Sequence, residues 1–382
     1  MKICGIIVEY NPFHNGHLYH IEQAKKQTRC DLLIACMSGH FVQRGEPSII
    51  DKWTRAHYAV INGVDLVVEL PYVFSCESAD YFSKGALQIL NHLKINSLVF
   101  GSETLNQQTI HHALQIIQSS KYQECVQSYL SLGNSYPTSL GKALEKLASI
   151  NIFNPNDVLG LTYAKEIKAN HYPIDIIPIL RTQSFYNDDA SLEHASASAI
   201  RKAIFNNQTN ALSSPIDFKE IKDFHCLNDY FDLLSYTLLT SSKEQLRKIH
   251  GMDEGLENRM LKYIQQSISM TDFISKVQTK RYTLGRIQRA IIHLLMQDTL
   301  GNREHLDVGY IRILAMNQKG RNYIKQIKNS IPIPIISNFS SLNHPYLDYE
   351  LKATQLYSLG LKDPQKRIEL MASEYKNFAK IL

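Results

Sequence analysis

A doubly wound α/β sheet followed by a mainly α-helical domain is the fold class that this sequence of 382 residues predicts. Three observations predict it. Five short runs in the first half are apolar on consecutive positions, as strands covered on both faces are. The segments between them carry apolar residues three and four apart, the helical period. From about residue 205 onward helical periodicity takes over almost completely. Alternating strands and helices imply parallel pairing through right-handed crossovers.

In chain order the strand-like runs are "ICGIIVEY", "DLLIACM", "VDLVVELP", "NSLVFGS" and "IDIIPILR", and helical spacing fills segments such as 52–62, 79–93 and 158–169. The polar stretch "FNNQTNALSSP" marks a boundary, so domains are expected at 1–205 and 206–382; a chain of this length exceeds a typical single domain. Beyond it, "YFDLLSYTLLT" and "RIQRAIIHLLMQ" read as helices, interrupted mainly by the Pro-broken "IPIPII".

Composition narrows the function classes. Apolar content of 44% and charged content of 20% are those of a globular protein, and no run approaches the roughly 18 apolar residues that span a bilayer. The N-terminus does not read as a signal peptide, so the expected location is the cytoplasm, with no membrane partner. Six scattered cysteines (Cys4, Cys30, Cys36, Cys76, Cys125, Cys226) include no C-x-x-C pair and read as reduced, mostly buried residues. A net charge of +5 permits a polyanionic partner without demanding one.

The first strand runs directly into "EYNPFHNGHLYH". In an open parallel sheet, ligands bind beyond the carboxyl ends of the strands, where helix N-termini present unpaired N–H groups. Pro12 stiffens this loop, Gly16 removes a side chain where a ligand would approach the backbone, and a helix follows at once. His14 and His17, three apart, can project to one side of the helix start and serve a phosphate, particularly the charge that builds on an α-phosphate during displacement. A lone loop histidine is usually just solvated; strand, Pro-containing loop, Gly before the second His, and helix together raise this one above that. Two histidines with no nearby third ligand leave a zinc site incomplete, so no protein metal site is expected.

"HNGH" resembles the H-x-G-H signature of the HIGH-motif nucleotidyltransferase superfamily. A longer set of ordered blocks, "GIIVEYNPFHNGHLYHI", "FVQRGEPSIIDKWTRA", "VVELPYVFSCESADYFSKGA", "FGSE", "PNDVLGLTYAK", "SASAIRKAI", "EGLENR" and "KRYTLGRIQR", resembles the bacterial tRNA(Met) cytidine acetate ligases, from residue 1 to about residue 300. The resemblance implies a ligase of two steps. Acetate attacks ATP to give acetyl-adenylate, and the N4 amine of the wobble cytidine of elongator tRNA(Met) then takes the acetyl group.

By that resemblance, the ATP cradle comprises the strand end Ile7, Val8, Glu9 and Tyr10, the loop Asn11, Pro12, Phe13 and His14, and the helix start Asn15, Gly16, His17, Leu18, Tyr19 and His20. Gly101, Asn156 and Arg181 match further nucleotide contacts. "SASAIRKAI" takes the place of the second superfamily signature, where Ser196 or Ser198 caps a helix, Ser198 is counted with the ATP contacts, and Arg201 reaches the β- and γ-phosphates as a catalytic residue beside His14 and His17. Read without the family, Gly101 is a turn residue, Asn156 an N-cap and Arg181 a surface charge.

"FVQRGEPSIIDKWTRA" follows the second strand, which makes Gln43, Arg44, Lys52 and Arg55 candidates for holding acetate or tRNA. In the second domain "KVQTKRYTLGRIQRA" concentrates Lys276, Lys280, Arg281, Arg286 and Arg289 around Tyr282, a strip that can track a phosphate backbone while the Tyr stacks on a base. Lys280, Arg281, Arg286 and Arg289 are therefore the tRNA-binding candidates; an ordinary amphipathic helix with a charged outer face is the competing reading. Two positions depart from the family pattern: His40 stands where asparagine is expected and Asn187 where histidine is expected.

Acetate is already ionised near neutral pH, so the first step needs alignment and charge neutralisation more than a general base. Mg²⁺ is expected as the counterion of ATP, without a dedicated carboxylate cage. The residues alone leave open a small-molecule adenylyltransferase, a non-enzymatic RNA-binding protein or an aminoacyl-tRNA synthetase. The tRNA, the target base and acetate come from the resemblance.

Overall fold

The structure is a computed structural model that describes residues 1–181, 195–208, 212, 214–301, 305–376 and 379–382. Asn187 lies outside the described residues. The five strand-like runs form β1 (Ile3–Val8), β2 (Leu32–Ser38), β3 (Leu66–Leu70), β4 (Ser97–Ser102) and β5 (Asp175–Leu180), all parallel to one another. Three further strands come from the second half: β6 (Ile311–Met316), β7 (Ile335–Ile336) and β8 (Lys380–Ile381). The order is β5-β4-β1-β2-β3-β6-β7, with β8 also on β6.

Alternation along the strands explains the two-sided core. Ile3, Leu32, Ile34, Cys36, Val68 and Leu98 point to one face, while Cys4, Ile6, Leu33, Ala35, Met37 and Val67 point to the other. The second face is covered by helices Asn15–Thr28, Lys52–Ile61 and Ala197–Phe205. On the first face lie Ala79–His92, Pro155–Ala169 and the helices of the second half, among them Phe231–Thr240 and Leu284–Leu295, whose stripe Ile287, Ala290, Ile291 and Leu294 is fully buried.

The second half is mostly helical, yet the sheet does not stop at its boundary. β6 pairs antiparallel with β3, an arrangement that the all-parallel expectation did not contain. The pairing sets Glu69 directly opposite Arg312. Around that pair lies a buried cluster of four charges. Lys52 Nζ reaches Glu69 Oε1 at 2.6 Å and Glu374 Oε1 at 2.8 Å, and Arg312 reaches Glu69 Oε2 at 3.0 Å and Glu374 Oε2 at 2.6 Å. Two cations face two carboxylates, so the burial of each is compensated. Burial alone would push the Glu374 carboxyl up, but Lys52 and Arg312 overcome it and hold it at about 2. Glu350, which accepts the Tyr72 N–H beside the cluster, is pushed well up by burial and by Glu69. The rings of Trp53 and Phe339 flank the Arg312 guanidinium, 5.0 and 4.2 Å away.

Removing one member of such a cluster strands its partners. Lys52→Met is expected to lower the unfolding free energy by roughly 3–5 kcal/mol, read from the midpoint of urea unfolding. A midpoint equal to that of the unmutated protein would show that the four charges do not act together.

Candidate active site

A cavity of about 520 Å³ opens beyond the carboxyl ends of β1, β4 and β5. Its floor is Ile7, Val8 and Glu9 at the end of β1, Phe100 and Gly101 in β4, and Ile179, Leu180 and Arg181 at the end of β5. The histidine helix closes one side with His14, Gly16, His17, Tyr19 and His20. Gln43 and Arg44 enter from the loop after β2, Asn156 from the start of helix Pro155–Ala169, and Thr283, Gly285 and Arg289 from the second half.

The two histidines cap the helix that carries them. His14 is the N-cap and its Nδ1 accepts the Gly16 N–H at 3.0 Å, while His17 Nδ1 accepts the His14 N–H at 3.2 Å. The ring centroids lie 3.8 Å apart. A ring nitrogen that accepts a backbone N–H carries no proton, so each neutral imidazole bears its proton on Nε2. Burial first, then Arg181 and Arg201, pull the His14 pKa down to about 3. Burial, His14, His20 and Arg181 hold His17 well below the ordinary value. Near neutral pH the pair therefore offers two aligned neutral N–H donors rather than the imidazolium charge that phosphate binding by histidine suggests.

The positive charge comes from arginines. Arg44, Arg181 and Arg289 line the cavity; Arg201 is not among the lining residues, but its charge acts on His14 and its Nη1 donates to Asn11 O at 2.8 Å. Arg181 lies over Gly101; a Cβ there would meet its Cγ and Cδ at 3.4 Å. Glu103 gathers Asn156 Nδ2 at 2.6 Å and Arg181 Nη1 at 3.4 Å, which sets both at the rim. Asn156 is thus not the N-cap, a place taken by Asn154.

Asp157, which the sequence reading passed over, fixes the loop after β4. It is fully buried and accepts Ser102 Oγ at 2.5 Å, the Glu103 N–H at 3.0 Å and Thr104 Oγ1 at 2.8 Å. Equally unread was the apolar wall, formed by Phe100 with Tyr136, Pro137, Leu140, Phe153 and Leu159. Gly160 makes this wall possible, because a Cβ there would meet the Phe100 ring at 2.0 Å.

Several predicted positions serve the site from behind or not at all. Tyr10 and Phe13 are buried and pack edge-on at 4.7 Å beneath His17, and Asn11 Oδ1 accepts the Ile49 N–H at 2.7 Å. Pro12, Asn15 and Leu18 do not line the cavity. Ser196 caps helix Ala197–Phe205, whereas Ser198 is exposed, 3.5 Å from Arg201.

Lys52 and Arg55 require correction as candidates for acetate or tRNA. Both are fully buried, Lys52 in the charge cluster and Arg55 on the carbonyls of Glu9, Ser38, Gly39 and Ile50. Gln43 donates its N–H to Glu9 Oε1 at 2.9 Å and its side-chain amide to Glu77 O at 2.8 Å. His40 is buried, stacked on Tyr357 at 4.4 Å and away from the cavity lining.

The basic strip divides. Lys280 is exposed, Arg281 pairs with Glu254 at 3.1 Å, and Arg286 pairs with Asp253 at 2.5 Å and Glu254 at 2.7 Å while lying over Tyr282. Arg289 instead turns into the cavity, where Nη1 donates to Gln43 O at 3.4 Å. Gly45, at φ +79°, lets the loop after β2 reach this helix: a Cβ would meet Arg289 N at 2.2 Å.

Among the described residues that line the cavity, Glu9 accepts the Gln43 N–H and Asp80 pairs with Lys165 at 3.0 Å.

The buried imidazoles have a consequence for stability. Burial, with Arg181, lowers His20 to about 4, and burial lowers His225 to about 4. In the unfolded chain His14, His20 and His225 titrate near 6.5. Between about pH 4 and 6.5 the unfolded chain therefore binds more protons, so stability is retained above this window and lost as pH falls through it. Denaturant titrations from pH 7.5 to 5 are expected to show declining stability, with a shallower decline in His14→Gln; equal slopes for the two proteins would contradict the assignment to His14.

Comparison with known proteins gives a consistent result. The sequence profile of the HIGH Nucleotidyl Transferase family matches residues 1–371. The tRNA(Met) cytidine acetate ligase of Bacillus subtilis is 36% identical, over 98% of this chain and 96% of its own length. That of Caldicellulosiruptor saccharolyticus is 39% identical, over 97% of each. Crystal structures of Thermotoga maritima TmcAL, apo and bound with alpha-thio ATP, superpose with TM-scores of 0.90 and 0.88 at 30% identity, each covering 100% of both chains. This chain accordingly belongs to the HIGH nucleotidyl transferase family and, within it, to the tRNA(Met) cytidine acetate ligases.

Proposed function

We propose that this chain acetylates the N4 amine of the wobble cytidine in elongator tRNA(Met), using ATP and acetate. The observation that carries the reading is a cavity that sets paired Nε2–H donors and a helix N-terminus among arginines, opposite an apolar wall. Such a site suits a triphosphate at one end and a flat base at the other.

In the first step an acetate oxygen bonds to the α-phosphorus and the bond from that phosphorus to the bridging oxygen breaks, so pyrophosphate leaves with the electron pair. His14 and His17 donate to oxygens of the α-phosphate, where charge builds, and Arg201 stabilises the departing pyrophosphate. Arg181, lying over Gly101, and Asn156 hold the adenosine side. Mg²⁺ arrives as the nucleotide's counterion. Gln43 and Arg44 remain the candidates for acetate.

In the second step the cytidine N4 attacks the acetyl carbonyl, AMP leaves and N4 loses a proton. The mixed anhydride supplies the activation that the weakly nucleophilic amine needs. Residues 1–205 provide the catalytic domain and 206–382 the main tRNA contacts. Lys280 is free to meet phosphate, whereas Arg281 and Arg286 must exchange Asp253 and Glu254 for it. Arg289 assists at the nucleotide instead. Among the described residues no helix is long and apolar enough to cross a membrane. A tRNA substrate supports a cytoplasmic enzyme.

Mass analysis of nucleosides from tRNA(Met) treated with protein, ATP and acetate tests the reaction. N4-acetylcytidine that depends on acetate is expected; acetyl-adenylate without labelled RNA would favour a small-molecule adenylyltransferase. His17→Ala is expected to slow acetate-dependent pyrophosphate release by about 10²–10³-fold and to leave tRNA affinity nearly unchanged; undiminished release would dismiss the role of His17. Lys280→Ala is expected to weaken tRNA binding and reduce the slope of log affinity against log salt by about 1, with pyrophosphate release intact. A salt slope equal to that of the unmutated protein would remove Lys280 from the interface.

A further inference from the structure

Behind the cavity wall, three side chains from distant parts of the chain converge. Glu77 precedes Ser78, which lines the cavity; His293 sits one turn beyond Arg289 on helix Leu284–Leu295; His250 comes from the turn after helix Lys243–Arg247. One ligand atom from each lies within 4.8 Å of the others. His250 Nε2 is 2.7 Å and His293 Nε2 3.8 Å from the same oxygen, Glu77 Oε1. Glu77 and His293 are buried, and His250 keeps 22% of its side chain accessible, which leaves one open side.

The far nitrogen of His293 is already committed. Its Nδ1 lies 3.3 Å from Asp298 Oδ2, a fully buried carboxylate, and 2.9 Å from Tyr72 Oη. With Asp298 as an ionised acceptor, Nδ1 carries the proton and the Nε2 lone pair faces Glu77. A carboxylate that orients a histidine in this way is the usual companion of a metal-bound imidazole. The same segment is locked from two sides by the backbone, because the Asp298 carbonyl accepts the His250 backbone N–H at 2.8 Å and the Asp298 backbone N–H donates to His293 O at 2.9 Å.

We propose that Glu77, His250 and His293 bind a divalent transition-metal ion of the zinc class, with water on the open side as a fourth ligand. Two imidazoles and one carboxylate are a zinc donor set, and tetrahedral zinc at roughly 2.0–2.2 Å from each ligand needs donor atoms a little closer than the His293–Glu77 pair and farther apart than the His250–Glu77 pair. A small turn of the partly exposed His250 ring widens the second distance and a small shift of the Glu77 carboxylate closes the first, and the His250 ring moves its proton to Nδ1. The ion's role is positional: it clamps the segment before Ser78 to the helix that carries Arg289. Arg289 is close enough for Glu77 to act on its charge, and its Nη1 donates to Gln43 O at 3.4 Å in the cavity lining.

The test uses full-length untagged protein stripped with a chelator, then titrated with zinc against a chromophoric competitor. The unmutated protein is expected to bind about one equivalent and His250→Ala to bind at least about tenfold more weakly. Because His293→Ala can unfold the chain, Asp298→Asn serves as the second variant, expected to bind about 10–100-fold more weakly while retaining a hydrogen bond to His293. Zinc is also expected to raise the melting temperature of the unmutated protein and not of His250→Ala. Absence of zinc binding in the unmutated protein, or equal affinity in His250→Ala, would overturn the proposal and leave the trio a hydrogen-bonded network. Neither result bears on the acetylation reaction, which is read separately by nucleoside analysis.

Discussion

The mutual capping of His14 and His17 is the constraint around which the site is organised. A helix start leaves N–H groups without intrahelical partners, and here two of them are satisfied by imidazole nitrogens rather than by a serine or aspartate. That choice fixes the ring orientations, the separation of the rings and the nitrogen that carries each proton. Aspartate at the cap would satisfy the backbone equally well and would repel a triphosphate. Histidine does both tasks, and its neutrality in the buried setting shifts the burden of charge to Arg181, Arg201 and Arg289, which come from three other elements.

Those elements must be held in register, and the buried charge cluster does this for the second half. Lys52 belongs to the helix after β2, Glu69 to β3, Arg312 to β6 and Glu374 to the helix Pro364–Lys376 near the C-terminus. Any three of them would leave an uncompensated buried charge, so the cluster favours the arrangement in which β6 lies against β3 and the last helix covers the junction. The sheet is therefore shared between the two halves rather than owned by the first. That sharing allows Arg289, from the second half, to reach a cavity built on the first.

What was legible in the sequence follows from locality. β1 to β5 announce themselves because burial on both faces demands unbroken apolar runs, and the H-x-G-H loop because strand, cap and helix are contiguous. β6, "IRILAM", hid behind Arg312, whose charge makes sense only with Glu69 and Glu374 in view. Lys52 and Arg55 were misread for the same reason: a charge in a polar stretch looks solvated until its distant partners are known. β7 was obscured by the prolines of "IPIPII", and two residues of strand are too few to show a period. Apart from Phe100 in β4 and Phe153 in the loop before helix Pro155–Ala169, the apolar wall of the cavity belongs to helices whose pattern resembles any core-facing stripe.

On helix Leu284–Leu295 a single amphipathic pattern sends two arginines to different places. Its apolar stripe is buried, which fixes its rotation. With the rotation fixed, Arg286 must emerge toward Asp253 and Glu254 at the surface while Arg289, three positions on, is carried to the rim where Gly45 allows the loop after β2 to touch it. Under the proposed function, a polyanion that drew Arg286 from its acidic partners would bind the same helix that presents Arg289 to the cavity.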